Sequence, residues 1–214
     1  MQTYALLISA LGGAVAALVL RSSLRIIGIL CTRWIPIAVY DCAAPEPSRK
    51  LELRHTWGCQ VADSKSSSGN AWEYRPIRIE RPGEQITGEH TIYGPYVNDF
   101  GMPGFYRVRF RIRGDGLPRK DERSKDEDER IIVLDVVQSR FGTDAVLRLL
   151  GQKVVRAREI RNCYRYFDIE CYAAGTGVYE YRCAVLNEAK ALKGGKIHFD
   201  NIKVYSNPPI WEAL

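Results

Sequence analysis

An unbroken alternation of apolar and basic residues, from Tyr106 to Arg113, constrains the fold of this chain more than any other feature. A period of two residues is typical of a β-strand that buries one face and exposes the other. We therefore predict a strand with an apolar inner face and a basic outer face. The apolar positions are Tyr106, Val108, Phe110 and Ile112, and the basic positions are Arg107, Arg109, Arg111 and Arg113.

Further segments rich in β-branched and aromatic residues, bounded by turn residues, also predict strands. Because no long amphipathic helix lies between them, we predict an all-β fold, an antiparallel β-sandwich. Asp144 to Leu150 is the one helical candidate, although a turn before another strand explains that segment equally well. The predicted strands are Leu51–Leu53, Gln85–Tyr93, Phe105–Arg113, Ile131–Ser139, Tyr164–Tyr172, Val178–Leu186 and Lys196–Tyr205.

The N-terminal region has a different character. Thr3 to Leu20 carries no charge, and as a helix this run would just cross a hydrocarbon core of roughly 30 Å. No basic residue precedes it, so we expect an uncleaved membrane anchor rather than a secretory signal. A second apolar run, Ile26 to Tyr40, either returns through the membrane, which places the domain outside the cell, or lies at the surface, which keeps it inside. We expect a membrane-anchored protein with an extracytoplasmic sandwich.

These observations divide the chain into four parts. Residues 1–42 form the membrane anchor or targeting region, and residues 43–50 form a linker rich in proline, small residues and charges. Residues 51–206 form the sandwich, and residues 207–214 form a C-terminal tail. Half of the net charge of +6 lies before residue 51, so the folded part lacks the basic excess of a nucleic-acid-binding protein.

The order of motifs through residues 51–205 resembles that of β-sandwich carbohydrate-binding modules, especially families six and thirty-five and related galactose-binding-like jelly rolls. The resemblance implies a domain that binds an oligosaccharide or polysaccharide without cleaving it. The motifs are Glu52, His55, Gly58, Asp63, Ser68-Gly69-Asn70-Ala71-Trp72, Gly94-Pro95-Tyr96, Pro103 to Phe110, Val133 to Val136 and Phe199-Asp200-Asn201-Ile202.

The same resemblance implies candidate site residues. A structural calcium ion would be held by Glu52 and Asp200, whose carboxylates suit a hard cation. Sugar would stack on aromatic rings among the loops at one end of the sandwich, with amides and carboxylates on its hydroxyls. The ligand-binding candidates are Trp72, Asn70, Tyr93, Tyr96, Asn98, Asp99 and Asn187. Trp72 and Tyr96 have an alternative role as packing residues.

Other functions remain open from the residues alone. The arginine stripe of the central strand could meet an acidic polysaccharide, a phosphate-rich surface or anionic lipid, or could pair with Asp168 and Glu170 on a neighbouring strand. The same frame could instead contact a protein partner in surface-polysaccharide assembly. The sequence holds no His-Glu-x-x-His or Gly-x-Ser-x-Gly motif, so a glycoside hydrolase is the least favoured alternative. Cys171 and Cys183 lie on successive predicted strands and are either a cross-strand disulfide or small buried side chains.

Overall fold

The computed structural model describes residues 34–43, 53–55, 58–75, 90–97, 100–117, 129–139, 146–175, 177–186, 192 and 194–207. The chain divides into two compact units, Met1–Ile35 with Asn207–Leu214, and Pro36–Ser206. The first unit lies almost wholly outside the described residues, as does the predicted membrane run Thr3–Leu20. Among the described residues, no helix has the length and apolar character needed to cross a membrane.

The described structure has twelve strands and no α-helix. A short 3₁₀ turn spans Ala157–Glu159, and Leu192 also lies in a 3₁₀ turn. The strands are β1 (Ile35–Asp41), β2 (Arg54–His55), β3 (Cys59–Ala62), β4 (Asn70–Glu73), β5 (Ile92–Tyr93), β6 (Pro95–Val97), β7 (Pro103–Asp115), β8 (Arg130–Ser139), β9 (Val146–Arg156), β10 (Arg165–Ala174), β11 (Val178–Val185) and β12 (Lys196–Asn207).

The strands form two six-stranded sheets. The β7 sheet has the order β10-β7-β12-β4-β3, with β1 paired to β12. The β8 sheet has the order β2-β5-β11-β8-β9, with β6 paired to β11. Neighbouring strands such as β10 and β7, or β11 and β8, run antiparallel. The prediction of an all-β fold with two antiparallel sheets is confirmed.

The inner face of β7 supplies the centre of the core. Tyr106, Val108, Phe110 and Ile112 are at most 5% exposed, which confirms the alternation read from the sequence. They pack in one apolar cluster with side chains from the β8 sheet, such as Val136, and from β12, such as Phe199. The two sheets therefore close over a single core.

Of the two alternatives considered for Asp144–Leu150, the helix is not formed. Residues 146–150 open strand β9, which pairs with β8. The register shifts between Val136, opposite Gly151, and Val137, opposite Leu149. A Cβ on Gly151 would lie 2.6 Å from Cγ2 of Ile169, so glycine at this bulge allows β9 to lie against β10.

Three strands of the β7 sheet had no counterpart among the predictions: β1, β3 and β4. β1 includes most of the described part of the segment Ile26–Tyr40, which we had considered for the membrane, and pairs with β12. Strand pairing therefore begins before residue 51. Residues 44–50 of the predicted linker lie outside the described residues.

Cys171 and Cys183 do not form the disulfide that we considered. Cys171 lies on β10 and Cys183 on β11, in different sheets, and both are free and buried. Burial raises the pKa of Cys171 to about 12. Both therefore act as small apolar side chains.

Candidate functional site

The outer face of β7 and β10 carries a ladder of opposite charges. Arg109 lies opposite Asp168, and Arg107 lies opposite Glu170. Nε and Nη2 of Arg109 each donate to a different carboxylate oxygen of Asp168, at 2.8 Å. Nε of Arg107 donates to Oε1 of Glu170 at 3.1 Å. The prediction that these arginines pair with Asp168 and Glu170 is confirmed. The hydrogen bonds that Arg109 donates to Asp168 raise the pKa of Arg109.

Exposed aromatic rings lie at both ends of this ladder. Tyr166 is 45% exposed, Tyr172 49% and Phe105 61%. Tyr172 and Phe105 are partners across the strands, and their rings meet edge to face with centroids 5.4 Å apart. Since residues of one strand rise about 3.4 Å each, Tyr166 and Tyr172 are separated by about 20 Å.

We call this surface the β7–β10 face. It consists of Phe105, Arg107, Arg109, Arg111, Tyr166, Asp168, Glu170 and Tyr172, which alternate with core residues along β7 and β10. Rings that stand beside charged hydrogen-bonding groups on a broad sheet can stack on a flat apolar ligand surface and bind its polar edge at the same time.

Cations surround the ring of Tyr166. The guanidinium carbon of Arg109 lies 5.1 Å from the ring centroid, that of Arg111 lies 5.8 Å away, and Nζ of Lys203 also lies 5.8 Å away. Arg109 also lies 5.4 Å from the ring of Tyr205 on β12. These cation–π contacts fix the Tyr166 ring and extend the β7–β10 face towards β12.

Asp200, predicted to bind calcium, lies at the point where β12 changes phase. Ile197 and Phe199 face the core before it and Ile202 and Val204 after it, while Asp200 itself is fully buried. Its carboxylate accepts hydrogen bonds from the backbone nitrogen of Ser67 at 3.0 Å, from Oγ of Ser67 at 2.8 Å, from Nδ2 of Asn201 at 3.0 Å, and from Nη1 of Arg111.

These surroundings do not suit a calcium ligand, because a guanidinium and three neutral donors already occupy the Asp200 carboxylate. The described part of the chain contains no group of three or more His, Cys, Asp or Glu side chains that could hold a metal ion. Glu52 lies outside that part, so the calcium site stays a prediction.

Trp72 and Asn70 lie on β4 in the β7 sheet. The Trp72 ring stacks on His55, with centroids 4.0 Å apart. A Cβ added to Gly58 would lie 2.5 Å from Nε1 of Trp72. Trp72 is thus partly buried and tightly packed, which is the alternative role considered for it.

Tyr93 and Tyr96 lie on β5 and β6, in the other sheet from Trp72. Tyr96 has a φ of 60°, a conformation that is strained for a bulky residue. The guanidinium carbon of Arg54 lies 5.3 Å from its ring centroid. The structure therefore does not place the described loop-end candidates on one sheet, and Asn98, Asp99 and Asn187 lie outside the described residues.

A polar cluster on β8 and β11 was not found from the sequence. Arg182 donates to both carboxylate oxygens of Asp135, at 2.7 and 2.8 Å, and Oγ of Ser139 donates to Glu180 at 3.1 Å. Burial raises the pKa of Glu180. The sequence pattern could have predicted this cluster. Charged residues on β11 alternate with apolar ones, as the arginines do on β7; the charged residues are Glu180 and Arg182, and the apolar ones are Tyr179, Tyr181 and Cys183.

A second buried network centres on Arg113. Nη2 of Arg113 donates to Asp63 at 2.9 Å, and the Tyr164 hydroxyl donates to the same oxygen at 2.6 Å. His198 lies nearby, with Nε2 3.4 Å from Oδ2 of Asp115. Burial, reinforced by the charge of Arg113, lowers the pKa of His198. No motif in the sequence distinguishes this histidine.

Comparisons with solved structures find carbohydrate-binding modules at low sequence identity and at TM-scores below 0.5. The chain is a β-sandwich similar to carbohydrate-binding modules. A family 35 carbohydrate-binding module from Clostridium thermocellum shares 12% identity at a TM-score of 0.45, covering 80% of this chain and 98% of that one. A carbohydrate-binding module of a Cellvibrio mixtus lichenase shares 11% identity at a TM-score of 0.43, covering 79% and 97%. A xylan-binding domain from Paenibacillus barcinonensis shares 5% identity at a TM-score of 0.49, covering 82% and 97%.

No protein-family model and no curated protein matches the chain. At these identities and TM-scores, the similarity to the solved structures says nothing of what this chain binds.

Proposed function

We propose that this protein is a non-catalytic carbohydrate-binding domain and that a polysaccharide chain lies along the β7–β10 face. The observation that carries the proposal is the pair of exposed aromatic ends, Tyr166 and Tyr172 with Phe105, on either side of a charged ladder. A pyranose presents an apolar face that stacks on an aromatic ring and a rim of hydroxyls that seeks polar groups. About 20 Å between the rings leaves room for several sugar units.

The ladder is suited to binding hydroxyls. The Arg109–Asp168 pair uses Nε and Nη2 of the arginine, which leaves Nη1 without a hydrogen-bond partner among the described residues. The Asp168 side chain is 31% exposed. A guanidinium and a carboxylate held rigidly by each other lose little conformational entropy when they bind a ligand.

The same pairs favour binding over hydrolysis. A glycoside hydrolase needs one carboxylic acid that holds a proton and one ionised carboxylate. Arginines already occupy both carboxylate oxygens of Asp168 and Oε1 of Glu170 as hydrogen-bond donors. Glu180 has a raised pKa, but it is only 4% exposed, so it offers no substrate access in this structure.

Membrane tethering and an extracytoplasmic location belong to the same proposal. They are supported by the uncharged run Thr3–Leu20. A glycan contact by Trp72, Asn70, Tyr93 or Tyr96 stays a prediction that competes with the β7–β10 face, as does a calcium site at Glu52 and Asp200.

A glycan array probed with the full-length protein tests the function. We expect saturable binding to at least one polysaccharide, and repetition with a chelator decides whether calcium contributes. Absence of binding to every glycan would contradict the proposal and favour a role in protein interaction.

A further inference from the structure

The part of the β7–β10 face around Tyr166 has more positive than negative charge. Three cations, Arg109, Arg111 and Lys203, lie within 6 Å of the ring centroid, at 5.1, 5.8 and 5.8 Å. Two carboxylates, Asp168 and Asp200, pair with two of them. The Lys203 ammonium has no carboxylate partner among the described residues.

The two carboxylates also differ in how much charge they present to a ligand at the surface. Asp200 is fully buried and its oxygens are bound by Ser67, Asn201 and Arg111, so it presents no charge to the surface. Asp168 is bound by both arms of Arg109. A ligand lying over Tyr166 therefore meets cations first, with Lys203 uncompensated.

We infer that the polysaccharide recognised by the β7–β10 face is acidic and carries carboxylates on its sugar rings. This inference rests on the proposed function. A ring carboxylate over Tyr166 would accept hydrogen bonds from the Lys203 ammonium and from Nη1 of Arg109, while the sugar ring stacks on tyrosine. Charge-assisted hydrogen bonds of this kind are shorter and stronger than bonds to a neutral hydroxyl.

A comparison of each acidic polysaccharide with its carboxyl-reduced form measures how much the carboxylates contribute to binding. Polygalacturonate, alginate, hyaluronan and glucuronoxylan are titrated into the full-length protein, each beside its carboxyl-reduced form, which keeps the backbone and loses the charge. We expect the tightest ligand to be a carboxylated one and its reduction to weaken binding about tenfold. The preference should shrink between about 0.01 M and 1 M salt, over which the Debye length falls from about 30 Å to about 3 Å.

Lys203→Gln gives the matched variant, and Lys153→Gln on β9 of the other sheet is its control. We expect Lys203→Gln to reduce the preference for the carboxylated form about fivefold and Lys153→Gln to leave it unchanged. Equal binding of the charged and reduced forms, or a preference that survives Lys203→Gln, would overturn the inference and leave the carbohydrate-binding function standing.

Two further outcomes separate the levels of the proposal. Failure of every polysaccharide, charged or neutral, contradicts the carbohydrate-binding function itself. Binding to phosphatidylserine vesicles without binding to any polysaccharide overturns the inference in favour of a lipid surface.

Discussion

Arg109 and Asp168 face each other across β7 and β10, joined by two parallel hydrogen bonds of 2.8 Å. Their side chains are 28% and 31% exposed, so water screens part of the attraction. The pair thus combines a fixed geometry with a modest free energy, which suits a ligand-binding surface better than a structural brace.

A double-mutant cycle measures that free energy. With Arg109→Ala, Asp168→Ala and the double variant, we expect a coupling energy of at most about 1 kcal/mol in urea unfolding. The control pair is Arg182 and Asp135, which has the same two-bond geometry with side chains 16% and 7% exposed. A larger coupling energy for Arg109 and Asp168 than for this control pair would show that the surface pair is a structural brace, and would contradict its assignment to a ligand-binding surface.

The buried network should respond differently. The side chains of Arg113 and Asp63 are only 7% and 5% exposed. Arg113→Met leaves the Asp63 carboxylate buried without the guanidinium that pairs with it. We therefore expect the free energy of unfolding to fall by about 3 kcal/mol. Arg109→Met, on the same strand, is the control and should cost less than about 1 kcal/mol. Equal losses would show that burial does not separate the two pairs.

Gly58 should tolerate no side chain. Its φ is 131°, and a Cβ would lie 2.4 Å from the backbone oxygen of Glu73 and 2.5 Å from Nε1 of Trp72. We expect Gly58→Ala to lower the free energy of unfolding by about 3 kcal/mol, combining backbone strain with displacement of Trp72. Gly69→Ala is the control, since its φ is 82° with nothing within 4 Å, and should cost about 1 kcal/mol. Thermal unfolding of both variants is the measurement.

His198 should make the protein less stable in acid. Its folded-state pKa lies below the ordinary value of 6.5, chiefly because of burial. As pH falls below that value, the unfolded chain takes up a proton that the folded protein resists, so stability falls until the pH reaches the folded-state pKa. We expect His198→Gln to reduce the loss of stability between about pH 7.5 and pH 5.5. An unchanged pH dependence would show that other groups control it.

The sequence predicted the fold best where one periodicity governed a long segment. β7 alternates from Tyr106 to Arg113 without interruption, so its buried face and the arginine pairing with Asp168 and Glu170 followed from a period of two. β9 was missed because its pattern is broken at Gly151, where a bulge shifts the register. β3 and β4 have four residues each, too few for periodicity to distinguish a strand from a loop.

The candidate site was less accessible to prediction. Tyr166 lies opposite Arg111, and Tyr172 lies opposite Phe105, across strands β10 and β7. Such cross-strand neighbours depend on the strand register, which the sequence does not reveal residue by residue. Trp72 is of a residue type that often stacks on sugars, yet its exposure depends on its packing against His55 and Gly58, which periodicity does not reveal. Lys203 and Tyr205 join the face only because β12 lies beside β7.

The central claim is that glycan lies on the rings of the β7–β10 face. The direct test is calorimetric titration of the best array glycan into the full-length wild type and into Tyr166→Ala, Tyr172→Ala, Trp72→Ala and, as a control on the other sheet, the 44% exposed Val146→Ala. The account predicts that affinity falls about tenfold in each of the two tyrosine variants and is unchanged in Val146→Ala. Full affinity in both tyrosine variants, with loss in Trp72→Ala while that variant stays folded, would contradict the account and place the glycan at the loop end.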